Sequence, residues 1–139
     1  MSGQPGQLRL TGLHHVTAIA RDLARTEEFY VDVLGLTLVE RESNVDDPDA
    51  RHFWFGDAAG TAGTLISFLE YAELPDGRSG PGTLHHVSFS VGSSAELEAW
   101  VDWLRSQGVE CTDALDRGRL RSVYVRDPDG LIVELAAPV

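Results

Sequence analysis

The sequence predicts an α+β fold of two tandem β-α-β-β-β modules whose mixed sheets curl into an open cup. Three observations carry this reading. Leu13-His14-His15-Val16-Thr17-Ala18-Ile19-Ala20 returns 71 residues later as Leu84-His85-His86-Val87-Ser88-Phe89-Ser90-Val91, and self-similarity of this kind marks a duplicated unit. After each copy a helix-period stretch is followed by shorter stretches of strand character. Between the two lies Leu74 to Thr83, rich in Gly, Pro and Asp, which reads as a linker. The whole is expected to form a single domain, with module one over about 11–72, the linker over 73–83 and module two over 84–137.

Each element has its own signal. Residues 13–20 alternate and are rich in apolar and β-branched types, as a strand requires. Asp22 then suits a helix N-cap, and Leu23, Phe29, Tyr30 and Leu34 recur at helical spacing until Gly35 stops the helix. Leu36 to Val45 predicts a second strand. Asp46-Asp47-Pro48-Asp49 is turn chemistry, and His52–Gly56 and Thr64–Tyr71 predict two more strands. In module two, Leu84–Val91 opens as a strand. Ser93 or Ser94 caps a helix with Leu97, Trp100, Val101 and Leu104 on one face, which Gly108 ends. Val109–Thr112 and Leu120–Arg126 read as strands. Asp127-Pro128-Asp129-Gly130 is a strong turn, and Leu131–Ala136 is the last strand. Trp100 and Trp103 are expected to pack on or cover the sheet.

Composition narrows the function classes. The chain has 139 residues and a net charge of −11, and all 11 of its basic residues are arginine. Such an acidic surface opposes phosphate binding, so nucleic acid is not expected as a partner. No apolar run reaches the roughly 18–20 residues of a membrane span. Met1 to Gln7 is polar and Gly-rich, unlike a signal peptide. Cys111 is the single cysteine, which excludes a disulfide within the chain and makes a cytoplasmic setting the default.

The chemistry is concentrated in the repeat. Four of the five histidines stand in the two His-His pairs, and imidazole is the commonest metal-ligand side chain. A third group emerges when the last strands of the modules are overlaid. Gly63-Thr64-Leu65-Ile66-Ser67-Phe68 then matches Gly130-Leu131-Ile132-Val133-Glu134-Leu135, placing Ser67 where module two has Glu134. A carboxylate in so apolar a run is costly unless its charge is compensated, and a metal ion does that. His15, His86 and Glu134 are therefore the candidate metal ligands. Two His and one carboxylate with open positions form the facial triad of non-heme Fe(II) oxygenases. His52 has no partner at ligand spacing and reads as structural.

Several segments resemble a known family. Phe29-Tyr30, Leu34-Gly35-Leu36 and Asp127-Pro128-Asp129-Gly130 followed by Glu134 are similar to the vicinal oxygen chelate superfamily, which includes glyoxalase I, bleomycin and fosfomycin resistance proteins and extradiol dioxygenases. Asn44-Val45-Asp46-Asp47-Pro48, His52-Phe53-Trp54-Phe55-Gly56-Asp57 and Arg121-Ser122-Val123-Tyr124-Val125-Arg126 look more narrowly like the first and last modules of hydroquinone ring-cleaving dioxygenases. Those proteins have four modules and about twice this length, and the middle two have no counterpart here.

The resemblance implies Fe(II), or alternatively Mn(II), held by His15, His86 and Glu134. It also implies catalytic groups around the metal at His14, Thr17, His85, Arg117 and Tyr124. The implied reaction is ring cleavage of a hydroquinone or catechol-like aromatic with O2. A homodimer is expected, with the site either within one chain or across the interface. Strand alternation sets His14 and His85 on the face away from the metal unless the strand start is twisted or bulged. Competing readings are a fosfomycin-type thiol transferase, a glyoxalase or epimerase, and a drug-binding resistance protein without turnover. The absence of lysine argues against the first, Ser67 in place of a fourth ligand against the second, and the complete triad against the third.

Overall fold

A computed structural model describes residues 3 and 6–139 of the chain. Part of the polar N-terminal stretch (Met1, Ser2, Gln4 and Pro5) lies outside the described residues. Module one runs β1 (His15–Ala20), α1 (Leu23–Glu27) with a π-helical continuation over Glu28–Val33, β2 (Thr37–Asn44), β3 (Asp47–Gly56) and β4 (Leu65–Glu70). Module two runs β5 (Val87–Ser90), α2 (Ser94–Ser106), β6 (Leu115–Asp116), β7 (Leu120–Arg126) and β8 (Ile132–Pro138). The strands form two four-stranded sheets of matching order, β1-β4-β3-β2 and β5-β8-β7-β6. In each the first strand pairs parallel with the last and the remaining pairs are antiparallel. The predicted α+β architecture is therefore the observed one.

Local chemistry accounts for the element ends. The Asp22 carboxylate accepts from the Ala24 amide at the start of α1, and the Ser93 hydroxyl accepts from the Glu96 amide at the start of α2. Gly35 and Gly108 end their helical segments at φ +78° and +74°, a region costly for residues that carry a Cβ. The π-helical stretch lets two neighbours, Phe29 and Tyr30, both reach the core.

Four boundaries differ from the sequence expectation. His14 and His85 precede the regular strands, which begin at His15 and Val87. The β2–β3 turn is tighter than Asp46–Asp49: Val45 and Asp46 form it, and the Asn44 side chain accepts from the Asp46 amide. Pro48 is then tolerated within β3 because β4 covers only His52 to Phe55 of that strand. Residues 109–112 make only a single bridge, Cys111 to Val125. The short strand forms instead at Leu115–Asp116, which pairs with Ser122 and Arg121 of β7.

One apolar core draws on both modules, with Tyr30, Phe55 and Phe68 from the first and Leu97, Leu104 and Val133 from the second fully buried. The module contact is also polar. Tyr30 donates to the Asp127 carboxylate at 2.9 Å, Arg25 to the Pro128 carbonyl, and the Trp103 indole to the Val33 carbonyl at 2.8 Å. Burial pushes the Tyr30 hydroxyl well above its usual range, with Asp127 adding to the shift. Burial raises Asp127 as well, against hydrogen bonds from Tyr30 and the Asp129 and Leu131 amides. Tyr30→Phe removes the only side-chain donor to this buried carboxylate among the described residues while keeping the ring. It should cost about 1–3 kcal/mol of stability, read as a lower urea midpoint at unchanged slope.

Candidate metal centre

Strand alternation puts one set of side chains of each module on a single sheet face. In module two that face carries Ser88, Glu134 and Tyr124, which are direct register partners across β5, β8 and β7. Ser122 lies two residues before Tyr124, and His86 immediately precedes β5. The His86 Nε2 atom approaches Glu134 Oε1 to 3.0 Å, with the imidazole partly exposed and the carboxylate nearly buried. The other carboxylate oxygen, Oε2, accepts from the hydroxyls of Ser122 and Tyr124, the latter at 3.2 Å. Burial pushes the Glu134 carboxyl up. Hydrogen bonds from Ser122, Ser88 and Tyr124 with the nearby His86 outweigh it, leaving the group below its ordinary range.

His85 and His14 occupy places that simple alternation would not allow. Because each precedes its strand, its ring can turn toward the neighbour: His85 Nδ1 lies 2.9 Å from His86 Nδ1, and His14 Nδ1 lies 2.9 Å from His15 Nδ1. This turns Nε2 of each ring away from the neighbouring histidine, and that of His86 faces Glu134 Oε1. An engaged second nitrogen is how a metal-binding imidazole is commonly oriented. Arg117 lies over the Tyr124 ring at 5.7 Å, and Tyr124 meets His86 edge-on at 6.2 Å.

Module one carries a matching half-site. Thr17, Ser67 and Trp54 are register partners across β1, β4 and β3, the positions that Ser88, Glu134 and Tyr124 hold in module two. His15 meets the Trp54 indole edge-on at 4.7 Å, and His52 lies 4.8 Å from the same ring. The sequence gives His52 no partner at ligand spacing and so points to a structural role. His52 stands on the site face, with Nε2 2.9 Å from Ser67 Oγ and Nδ1 3.4 Å from a Glu42 oxygen. Burial lowers its basicity, Glu42 opposes this, and His15 adds to the lowering. Its signal in the sequence was two-residue alternation with Trp54.

Within the chain the two half-sites stay apart. His86 and Glu134 meet, whereas His15 belongs to the other sheet, and among the described residues no three His, Cys, Asp or Glu side chains gather closely enough to hold a metal ion. His15 and His86 both border a cleft of about 880 Å³ between the modules. Among the described residues β1 and β5 are edge strands, each paired on one side only.

Comparison with known proteins agrees with this duplicated architecture. Residues 12–135 match the family described as Glyoxalase/Bleomycin resistance protein/Dioxygenase superfamily. "Putative ring-cleaving dioxygenase MhqE" of Bacillus subtilis (strain 168) is 41% identical over 102 residues, covering 73% of this chain and 33% of that protein. "Metallothiol transferase FosB" of Staphylococcus haemolyticus is 26% identical over 128 residues, covering 91% and 83%. A crystal structure of a "putative dioxygenase" from Bacillus subtilis subsp. subtilis str. 168 superposes with a TM-score of 0.83 at 35% identity, covering 91% of this chain and 40% of the other. The chain thus spans about a third of the length of the ring-cleaving relative. By sequence match and by the paired four-stranded sheets, the chain belongs to the glyoxalase/bleomycin resistance protein/dioxygenase superfamily.

Proposed function

We propose that this protein is an Fe(II)- or Mn(II)-dependent ring-cleaving dioxygenase acting on a hydroquinone or catechol-like aromatic. The observation that carries the reading is the convergence of His86 Nε2 and Glu134 Oε1 at 3.0 Å, each group held from behind by its own partner. The donors suit such a metal. The imidazole has its Nδ1 engaged by His85, and the carboxylate keeps one oxygen free of Ser122 and Tyr124. Two imidazoles and one carboxylate leave open positions, and His15 would be the second imidazole. The likeness to MhqE over most of this chain favours ring cleavage.

When bound, the metal would supply a redox-active centre at which a phenolic oxygen and O2 are held together. The chain's own groups would do the rest. Tyr124 and His85 lie where a proton can be held or moved beside that centre, the work of a general acid–base group. Arg117, over the Tyr124 ring, would stabilise negative charge developing on the substrate. His14 would hold His15 as His85 holds His86.

The same reading calls for a homodimer. β1 and β5 each leave one edge unpaired, and open edges invite pairing with another chain. Leu10, Leu13 and Leu84 near those edges are exposed, Leu10 at 98%. A second copy placing its β1 beside β5 would bring a second His15 to His86 and Glu134.

The test is oxygen uptake and product analysis with anaerobically iron-loaded protein, across substituted hydroquinones and catechols. Stoichiometric O2 consumption with a ring-opened product is expected. No consumption with any of them, or metal-dependent loss of a thiol with fosfomycin instead, overturns the reading.

A further inference from the structure

The site face of the first sheet holds an unbroken line of polar side chains, one from each strand. Glu42 of β2 lies opposite His52 of β3. His52 reaches Ser67 of β4 at 2.9 Å, and Ser67 reaches Thr17 of β1 at 2.7 Å. Ser67 is completely buried, whereas Thr17 is exposed beside His15 on the same face. The serine–histidine–carboxylate part has the order of a nucleophilic triad, but a fully buried hydroxyl cannot reach a substrate. The line is therefore better suited to setting the direction of hydrogen bonds.

That direction follows from the donor inventory. Glu42 is an acceptor, and it already takes the Trp54 indole N–H at 2.8 Å. Its oxygen 3.4 Å from His52 Nδ1 favours the tautomer with the proton on Nδ1. In the neutral ring Nε2 is then a bare acceptor, so Ser67 must donate to it. With its one proton spent, Ser67 can only accept from Thr17. The Thr17 proton is spent in turn, and only lone pairs remain toward the site.

We propose that Glu42, His52 and Ser67 act as positioning residues that make the Thr17 hydroxyl an obligate hydrogen-bond acceptor, selecting an aromatic ligand whose second hydroxyl, the one not held by metal, is protonated. This rests on the ring-cleaving reading for the identity of the ligand, and on the geometry of the sheet alone for the direction of the relay. Burial lowers the basicity of His52, in agreement with that direction.

Two measurements test it. In the metal-free protein, two-bond proton–nitrogen correlation spectra should show His52 as the Nδ1–H tautomer, and Glu42→Gln should shift it toward Nε2–H. An Nε2–H ring in the unaltered protein overturns the proposal. In the anaerobic Fe(II)-loaded protein, calorimetry should show hydroquinone binding roughly three- to tenfold tighter than 4-methoxyphenol, the worth of about one hydrogen bond. Thr17→Val and Glu42→Gln should narrow that ratio and Thr17→Ser preserve it. A ratio unchanged in Thr17→Val, or no binding of either compound, overturns the proposal. Absent O2 uptake with both expected results intact would sink the ring-cleaving reading and leave the relay standing.

Discussion

Replacing Glu134 by alanine should prevent most binding of the proposed iron or manganese and abolish the proposed turnover. His15→Ala and His86→Ala should do the same, because each deletes one of three proposed ligands. His52→Ala should retain the metal. Atomic absorption on protein reconstituted anaerobically reads this directly, and full occupancy in Glu134→Ala would disprove the ligand set. The same variants report on assembly. If His15 comes from a second copy, mixing His15→Ala chains with Glu134→Ala chains rebuilds one complete site in each heterodimer. Free exchange in an equal mixture then restores about one quarter of the sites. If each site lies within one chain, mixing restores nothing. A stable monomer at micromolar concentration, seen by light scattering, would exclude the dimer.

Tyr124→Phe and His85→Ala should keep their metal and lose about 10²–10⁴-fold in turnover, the usual contribution of a positioned acid–base group. Tyr124 donates to the carboxylate oxygen that does not face His86. Its removal leaves Ser122, with Ser88, to hold Glu134. His85 meets His86 through Nδ1, so its loss frees the neighbouring ring to turn. Metal content and turnover measured on the same samples separate the two effects. Unchanged rates in both variants would assign these side chains to packing, and loss of metal in His85→Ala would show that its orienting contact outweighs any acid–base role.

Much of this was legible in the chain itself, because it depends on neighbours in sequence. The duplicated segment, the caps at Asp22 and Ser93 and the stops at Gly35 and Gly108 are local signals, and the structure carries all of them. Overlaying the last strands put Ser67 opposite Glu134 in the duplicated plan, and those two residues do hold equivalent places in the paired sheets. Tertiary structure decided what local patterns do not encode. A two-residue period says which side chains share a face but not which strand lies alongside, and register comes from long-range packing. The β3–β4 register brings His52 to Ser67 across 15 residues, and so turns an apparently structural histidine into part of the site face. The pairing of β7 with Leu115–Asp116 in place of 109–112 was settled by that strand's partners. The strands start later than the sequence pattern suggests, at His15 and Val87, and this frees His14 and His85 from the pleat. The separation of His15 from His86 and Glu134 has the same origin, for the two sheets are positioned by a core shared between the modules, which no repeat in the sequence specifies.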